Sequence, residues 1–171
     1  DWTWRLDPAL GGSLRAVADI GTHWLDMLRF ITGLEIREIF AELPIFYKER
    51  KRPLGQTTTF SNAVSSNYEN IHISTEDAAT ILLRFENGAR GYLTVSQVSA
   101  GRKNALSFEI DGSSTALAWN SEEPNSLWMG RRDAPNSIIM KDPALLSPTA
   151  ARFASFPGGH QEGYPDTLKQ L

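Results

Sequence analysis

The sequence predicts an α+β fold, in which an open, mostly antiparallel sheet of about six strands carries helices on one face. An amphipathic helical segment near the start, residues 11–33, is followed by a series of short segments with alternating apolar and polar residues. Asn87-Gly88 lies between two of these segments, as such a pair does in antiparallel hairpins. We therefore expect strands that are neighbours in the chain to pair, within one domain spanning residues 1–171.

The helical segment has recognisable ends. The pair Gly11-Gly12 precedes it, and Gly33 follows its last apolar residue, where a helix C-terminus favours glycine. At helical spacing, one arc is predicted to face the core, and it consists of Ile20, Trp24, Met27, Leu28 and Ile31.

A narrow polar stripe runs beside this arc. Asp19, His23 and Asp26 follow one another at helical spacing, so their short side chains are expected to stack on one face. A carboxylate beside an imidazole can move a proton near neutral pH. The same spacing also fits an ordinary surface pair that adds little to stability. The residues alone leave both interpretations open.

The rest of the chain is predicted to consist of strands together with a few less regular segments. Residues 1–10 are expected to be extended, and residues 48–76 to form a long irregular loop that is either functional or a surface excursion. A helix is expected from about Glu162. The strands are predicted at residues 35–47, 78–85, 90–98, 104–110, 115–119, 126–130 and 137–140.

Composition excludes several classes of protein. The 171 residues are 41% hydrophobic and 22% charged, with a net charge of −3, which argues against nucleic-acid binding. There is no cysteine, so a thiolate metal site and a disulfide framework are excluded, and no metal site is predicted. No apolar run is long enough to cross a membrane. The start, DWTWRLDP, resembles no signal peptide and lacks a methionine, so a cytoplasmic location and a chain that is part of a longer protein are expected.

Two motifs resemble a known family. The first comprises Gly11-Gly12, the run DIGTH at residues 19–23, Asp26 and Gly33, and the second is PGGHQEGYPDTLKQL at residues 157–171. In this order they resemble the C-terminal domain of the glucose–fructose oxidoreductase / inositol dehydrogenase / MocA family, over essentially the whole chain.

The resemblance implies a function. It implies hydride transfer between NAD or NADP and a secondary alcohol of a sugar or polyol. His23 would be the general acid/base, and Asp19 would either orient it or contact the substrate. The family's cofactor domain and catalytic lysine would lie outside this chain, which has neither G-x-G-x-x-G nor Glu-Lys-Pro. The chain alone is therefore expected to be inactive, and the alternative is a non-catalytic small-molecule-binding or dimerisation module of the same fold.

Further residues are candidates for the substrate pocket. They are Trp4, Arg5, Arg15, His160 and Tyr164. Trp4 fits a core anchor equally well, and the segment around His160 also fits a structural turn.

The open face of the sheet is the candidate subunit interface. In the hairpin, Leu82 and Tyr92 are expected to lie among hydroxyl groups and Arg84 on the face away from the helix. Because this mixture suits a subunit contact better than a solvent face, a homodimer or a dimer of dimers is predicted.

Overall fold

The computed structural model describes residues 2–54, 67–163, 166 and 168. The chain divides into two compact units, Asp1–Gly101 and Arg102–Leu171. The predicted α+β class is confirmed, but the described residues form nine strands in three antiparallel sheets and not one sheet of about six. None of the helices in these ranges is long and apolar enough to cross a membrane.

The first unit carries most of the helical structure. Its elements are a 3-10 turn Trp4–Leu6, helix α1 Pro8–Gly11, a π turn Val17–Gly21, helix α2 Thr22–Thr32, and strands β1 Ile36–Glu42, β2 Glu49–Pro53, β3 Tyr68–His72, β4 Ala78–Phe85 and β5 Arg90–Ser96. Strands β1, β4 and β5 form one sheet in the order β1-β4-β5, and β2 pairs with β3.

The second unit is a four-stranded meander. Its elements are strands β6 Ser107–Asp111, β7 Thr115–Asn120, β8 Ser126–Arg131 and β9 Ser137–Met140, a 3-10 turn Pro143–Leu145 and helix α3 Pro148–Ala151. Each strand pairs with the next, as predicted. The helix expected from about Glu162 falls mainly on residues outside those described.

Alternation along the β4–β5 hairpin builds the core of the first unit, and this prediction is confirmed. The buried residues of the core are Ala16, Ala79, Ile81, Leu83, Phe85, Leu93 and Val95. Removing each Leu, Ile or Phe side chain from water stabilises the fold by about 1.5–3 kcal/mol. The side chains between them, such as Leu82 and Tyr92, point the other way and are exposed.

The helix presents only part of the predicted arc to this core: Trp24 and Leu28 pack on it as predicted. The helical residues that pack on it are Val17, Trp24, Leu25 and Leu28. Ile20 and Ile31, which were placed on the core arc, are 37% and 46% exposed. The π turn Val17–Gly21 explains part of the difference, because its i→i+5 bonding departs from the 100° spacing on which the prediction rested. The predicted end is confirmed, since Gly33 adopts φ 66° and donates its N–H to the Arg29 carbonyl.

The predicted strand 35–47 is too long. Strand β1 ends at Glu42. Beyond it, the N–H groups of Phe46 and Tyr47 each donate to Oδ2 of Asp77 at 2.7 Å. The buried carboxylate of Asp77 thus accepts two backbone N–H groups that would bond to a neighbouring strand if β1 were longer.

Residues 48–76 were predicted to be irregular, which is wrong for two segments of the range. Strands β2 and β3 pair from Glu49↔His72 to Pro53↔Tyr68. A charged strand is stable here because Arg52 Nε donates to Glu69 at 2.6 Å and Lys51 lies 4.1 Å from the Tyr68 ring. The hydrogen bond with Lys51 and its charge lower the pKa of Tyr68. Residues 55–66 lie outside the described part of the chain.

Candidate functional site

The glycine pair brings Arg5 to the helical segment. Residues 4–6, predicted to be extended, form a 3-10 turn whose Leu6 is buried. A Cβ atom on Gly11 would lie 2.8 Å from the Arg5 carbonyl oxygen, so α1 can approach this turn only with glycine at that position. Gly12 then reverses the chain at φ 84°. Both glycines of the first motif therefore shape the backbone around Arg5.

Asp19 lies in the π turn and is held from two sides. Arg5 Nε donates to Asp19 Oδ1 at 3.0 Å, and Gln97 Nε2 donates to Asp19 Oδ2 at 2.9 Å. The side chains of Arg5 and Asp19 are 41% and 28% exposed, so the pair lies at the surface of the unit and is open to a small molecule. A carboxylate has about four lone-pair sites. Asp19 therefore keeps acceptor capacity for a substrate hydroxyl.

Glu76 fixes the start of the π turn. Its Oε1 accepts the N–H of Arg15 at 2.9 Å and that of Val17 at 2.8 Å. These are the backbone donors that precede Asp19, and a carboxylate at a helix N-terminus is favoured by the helix dipole. Glu76 is only 3% exposed, so water does not compete for these bonds. The sequence analysis did not identify Glu76, because nothing near it in the chain indicates that its carboxylate accepts the N–H of a residue 59 positions earlier.

Arg15 was predicted to contact the substrate, and its surroundings do not support that role. The side chain is 7% exposed, its Nε donates to the Glu76 carbonyl at 3.2 Å, and its Nη2 pairs with Asp77. Asp77 is fully buried and is also 3.4 Å from Arg50. Since a buried guanidinium requires such partners, Arg15 stabilises the fold beneath the site and does not line it.

His23 lies on the second residue of α2, four residues after Asp19. Its side chain is exposed, and within the described ranges its ring makes no hydrogen bond. Asp26, on the same predicted stripe, is also exposed. Among the described residues Asp19 makes no hydrogen bond to His23, and its side-chain bonds are to Arg5 and Gln97. The imidazole is thus free to meet a ligand.

Trp4 borders the Arg5–Asp19 pair. Its side chain is 50% exposed, which excludes the alternative of a core anchor, and the Arg5 guanidinium carbon lies 4.7 Å from the centre of its ring. This cation–π contact stabilises Arg5 in the orientation that binds Asp19. Trp4, Arg5, Asp19 and Gln97 together form what we call the Asp19 cluster.

The second motif lies in the second unit, and hydrogen bonds of its Glu162 hold it in place. His160 is exposed, with its Nδ1 3.3 Å from the Gly158 carbonyl. Burial raises the pKa of Glu162, but hydrogen bonds from Lys141 and from the N–H groups of Phe156 and Ser155 outweigh it and hold that pKa below its usual value. These contacts fit the structural turn better than a pocket wall. Tyr164 lies outside the described residues.

The chemistry available to the described residues is acid–base chemistry. In the ranges that the structure covers, no group of three or more histidine, aspartate or glutamate residues is arranged to hold a metal ion. The exposed imidazole of His23 can exchange a proton with an alcohol, and the Asp19 cluster can bind hydroxyl groups.

Comparison with known proteins identifies a matching family and similar proteins. The sequence profile of the GFO/IDH/MocA C-terminal domain matches residues 1–118. Levoglucosan dehydrogenase of Pseudarthrobacter phenanthrenivorans is 29% identical over 125 residues, which are 73% of this chain and 32% of that protein.

Solved structures of similar fold are also oxidoreductases or their homologues by name. An oxidoreductase domain protein from Kribbella flavida is 32% identical, with a TM-score of 0.77 over 95% of this chain and 41% of that one. An inositol dehydrogenase homologue from Azotobacter vinelandii, solved with NAD+, is 27% identical, with a TM-score of 0.70 over 94% of this chain and 36% of that one.

The chain spans about a third of the length of the curated relatives it matches, 32% and 37% of the two. The relatives are dehydrogenases and oxidoreductases, and the matched residues 1–118 include the whole Asp19 cluster and His23. The chain therefore belongs to the GFO/IDH/MocA C-terminal domain family.

Proposed function

We propose that this chain is the substrate-side domain of an oxidoreductase that uses NAD or NADP to interconvert a secondary alcohol of a sugar or polyol and the corresponding carbonyl. The observation that carries the proposal is the anchored carboxylate of Asp19, which precedes the exposed imidazole of His23 by four residues on one continuous helical run. The named relatives support the substrate class, since one is a levoglucosan dehydrogenase and another an inositol dehydrogenase homologue.

His23 is the proposed general base for alcohol oxidation. The hydroxyl proton must leave as the carbonyl forms, and a neutral imidazole can accept it. In the reverse direction the imidazolium returns the proton to the carbonyl oxygen. Its exposed position, without a competing hydrogen bond in the described ranges, leaves the ring nitrogen accessible to the substrate.

Asp19 is the proposed hydroxyl-binding residue. Arg5 and Gln97 hold its two oxygens at 3.0 and 2.9 Å, which fixes the carboxylate in one orientation before substrate arrives. Such preorganisation reduces the entropy that binding must overcome. Trp4 and Arg5 complete the polar and aromatic border of this site.

The nicotinamide cofactor does not fit the described residues of this chain. A dinucleotide site needs a glycine-rich turn between a parallel strand and a helix, whereas all the described strands pair antiparallel. The cofactor supplies the hydride chemistry. We place its binding in a part of the enzyme outside this chain.

The direct test is a screen of the full-length enzyme against pyranoses, anhydrosugars and cyclic polyols, with formation of NADH or NADPH recorded at 340 nm as the readout. The expected result is turnover of at least one member with either nucleotide. Absence of turnover across all three classes would favour the alternative, a non-catalytic small-molecule-binding module.

The isolated chain is expected to bind neither NAD nor NADP, because its sequence contains no G-x-G-x-x-G turn that would hold a pyrophosphate at a helix N-terminus. Isothermal titration calorimetry of residues 1–171 with each nucleotide checks this. A dissociation constant in the micromolar range would contradict it and would move the cofactor site into this chain.

The open sheet face is the proposed subunit interface. Phe40, Leu82 and Tyr92 lie side by side across the three strands and are 71%, 52% and 70% exposed. An exposed apolar row of this kind is typical of a protein contact, and a two-fold pairing is the commonest closed arrangement. A dimer or a dimer of dimers is therefore proposed.

Leu82→Glu is expected to dissociate this assembly, since each two-fold contact would then bury two carboxylates. Light scattering of the full-length protein measures the change in mass. The matched control is Leu145→Glu, at an exposed leucine of the second unit, which should leave the mass unchanged. A wild-type protein that is monomeric at all concentrations would refute the proposed interface.

A further inference from the structure

We infer that Gln97 is a positioning residue of the proposed dehydrogenase site: its side-chain amide, together with Arg5, fixes the carboxylate of Asp19 in the orientation that binds the substrate. This inference rests on the proposed function for its catalytic consequence, but its structural part can be tested separately. Gln97 belongs to neither of the motifs found in the sequence.

The first argument is the geometry of the carboxylate. Gln97 Nε2 lies 2.9 Å from Asp19 Oδ2, and Arg5 Nε lies 3.0 Å from Asp19 Oδ1. Donors on both oxygens leave the carboxylate little rotational freedom. Arg5 alone would fix one oxygen and allow the group to turn about that bond, so the amide is the element that completes the orientation.

The second argument is the support behind Gln97. Its backbone N–H donates to the Asp77 carbonyl at 2.9 Å, immediately after strand β5. The neighbouring Glu76 carboxylate caps the backbone of Arg15 and Val17, which begins the turn carrying Asp19. Glu76 and Asp77 are 3% and 0% exposed. One buried dipeptide therefore locates both partners of the Gln97–Asp19 bond.

The third argument concerns charge. Gln97 donates without adding a charge. Among the described residues the cation paired with Asp19 is Arg5, and His23 lies four residues further along the same helical run. A second cation in place of the amide would compete with a substrate hydroxyl for the carboxylate. A neutral donor orients Asp19 and leaves its negative charge available.

The experiment uses the full-length enzyme with a substrate found in the screen. Gln97→Leu keeps the approximate size of the side chain and removes the donor. It is expected to lower kcat/KM by about tenfold to a hundredfold, the effect of losing one hydrogen bond to a charged group. An unchanged kcat/KM in a variant that keeps its wild-type circular dichroism and melting temperature would overturn the inference.

Gln97→Glu provides a readout that a merely structural role would not move. At low pH the two carboxyl groups share a proton, so the new side chain can donate to Asp19 as the amide does. At higher pH both groups ionise and repel each other. The ratio of variant to wild-type kcat/KM is therefore expected to fall as pH rises. A ratio independent of pH would contradict the proposed contact.

Asn120→Asp is the matched control for the added charge. Asn120 lies in the second unit, and its Oδ1 accepts the N–H of Glu122 at 3.0 Å, a bond that aspartate retains. This variant should follow the wild-type pH profile. A pH-dependent loss in this variant as well would assign the effect to net charge and overturn the assignment to Gln97.

A measurement independent of turnover separates this inference from the proposed function. The side-chain amide signals of Gln97 in a ¹⁵N-labelled protein should move when Asp19 is replaced by asparagine. If no sugar or polyol is turned over but these signals move, the proposed function fails and the anchoring of Asp19 by Gln97 stands. If the signals do not move, the inference fails whatever the activity.

Discussion

Replacing His23 with alanine is expected to lower kcat of the full-length enzyme by about 10²- to 10⁴-fold, the range for a positioned general acid/base. The loss should fall on the proton-transfer step, and added imidazole should restore part of it by entering the space of the missing ring. Steady-state kinetics with and without imidazole measure both effects.

The structure also predicts the effect of this change on stability. The His23 side chain is exposed, so its removal creates no cavity, and the melting temperature should remain close to that of the wild type. His72→Ala is the matched control, because His72 is an exposed histidine on β3 that is not part of the Asp19 cluster. A His23→Ala enzyme with wild-type kcat would remove His23 from the mechanism.

Replacing Asp77 with alanine is expected to destabilise the first unit by about 3–5 kcal/mol, the cost of leaving one partner of a buried ion pair alone. Asp77 is fully buried and binds Arg15, Arg50 and the N–H groups of Phe46 and Tyr47. Its removal leaves the buried Arg15, the half-buried Arg50 and two backbone donors without their acceptor. Denaturant unfolding gives the free energy, and hydrogen exchange of the β4 amides assigns the loss to this unit.

The control for Asp77 is an ion pair of the same unit that is open to water. Glu35 pairs with Arg29 at 2.8 Å, and both side chains are more than half exposed. Glu35→Ala should change the free energy of unfolding by no more than the experimental error, because solvent screens such pairs. If Asp77→Ala were equally harmless, the buried ion pair of Asp77 would not be what stabilises the first unit.

Local patterns in the sequence were sufficient to predict the elements that depend mainly on residues close to them in the chain. Alternating residues in β4 and β5 specified the buried face of the hairpin, because successive side chains of a strand point to opposite sides. Gly33 marked the end of α2, since glycine adopts the left-handed conformation without a steric penalty. The two motifs indicated the family, and the family match is confirmed over residues 1–118.

Where a backbone segment depends on distant partners, local patterns were insufficient. Beyond the end of strand β1 at Glu42, the N–H groups of Phe46 and Tyr47 donate to Asp77, about 30 residues away in sequence. The π turn before α2 changed part of the helix face that meets the core, since periodicity analysis assumes regular α-helical spacing.

The candidate site, too, could be predicted only in part from the sequence. The sequence predicted Asp19 and His23 from a motif, which specifies groups and their spacing, and it predicted Trp4 and Arg5 from their position just before the glycine pair. It could not identify Gln97 as a partner of Asp19, since 78 residues separate them. Nor could it show that Arg15 is buried against Asp77, 62 residues away. Those contacts exist only once β4 and β5 have packed against the helical run, so the tertiary structure alone decided which groups hold Asp19 in place.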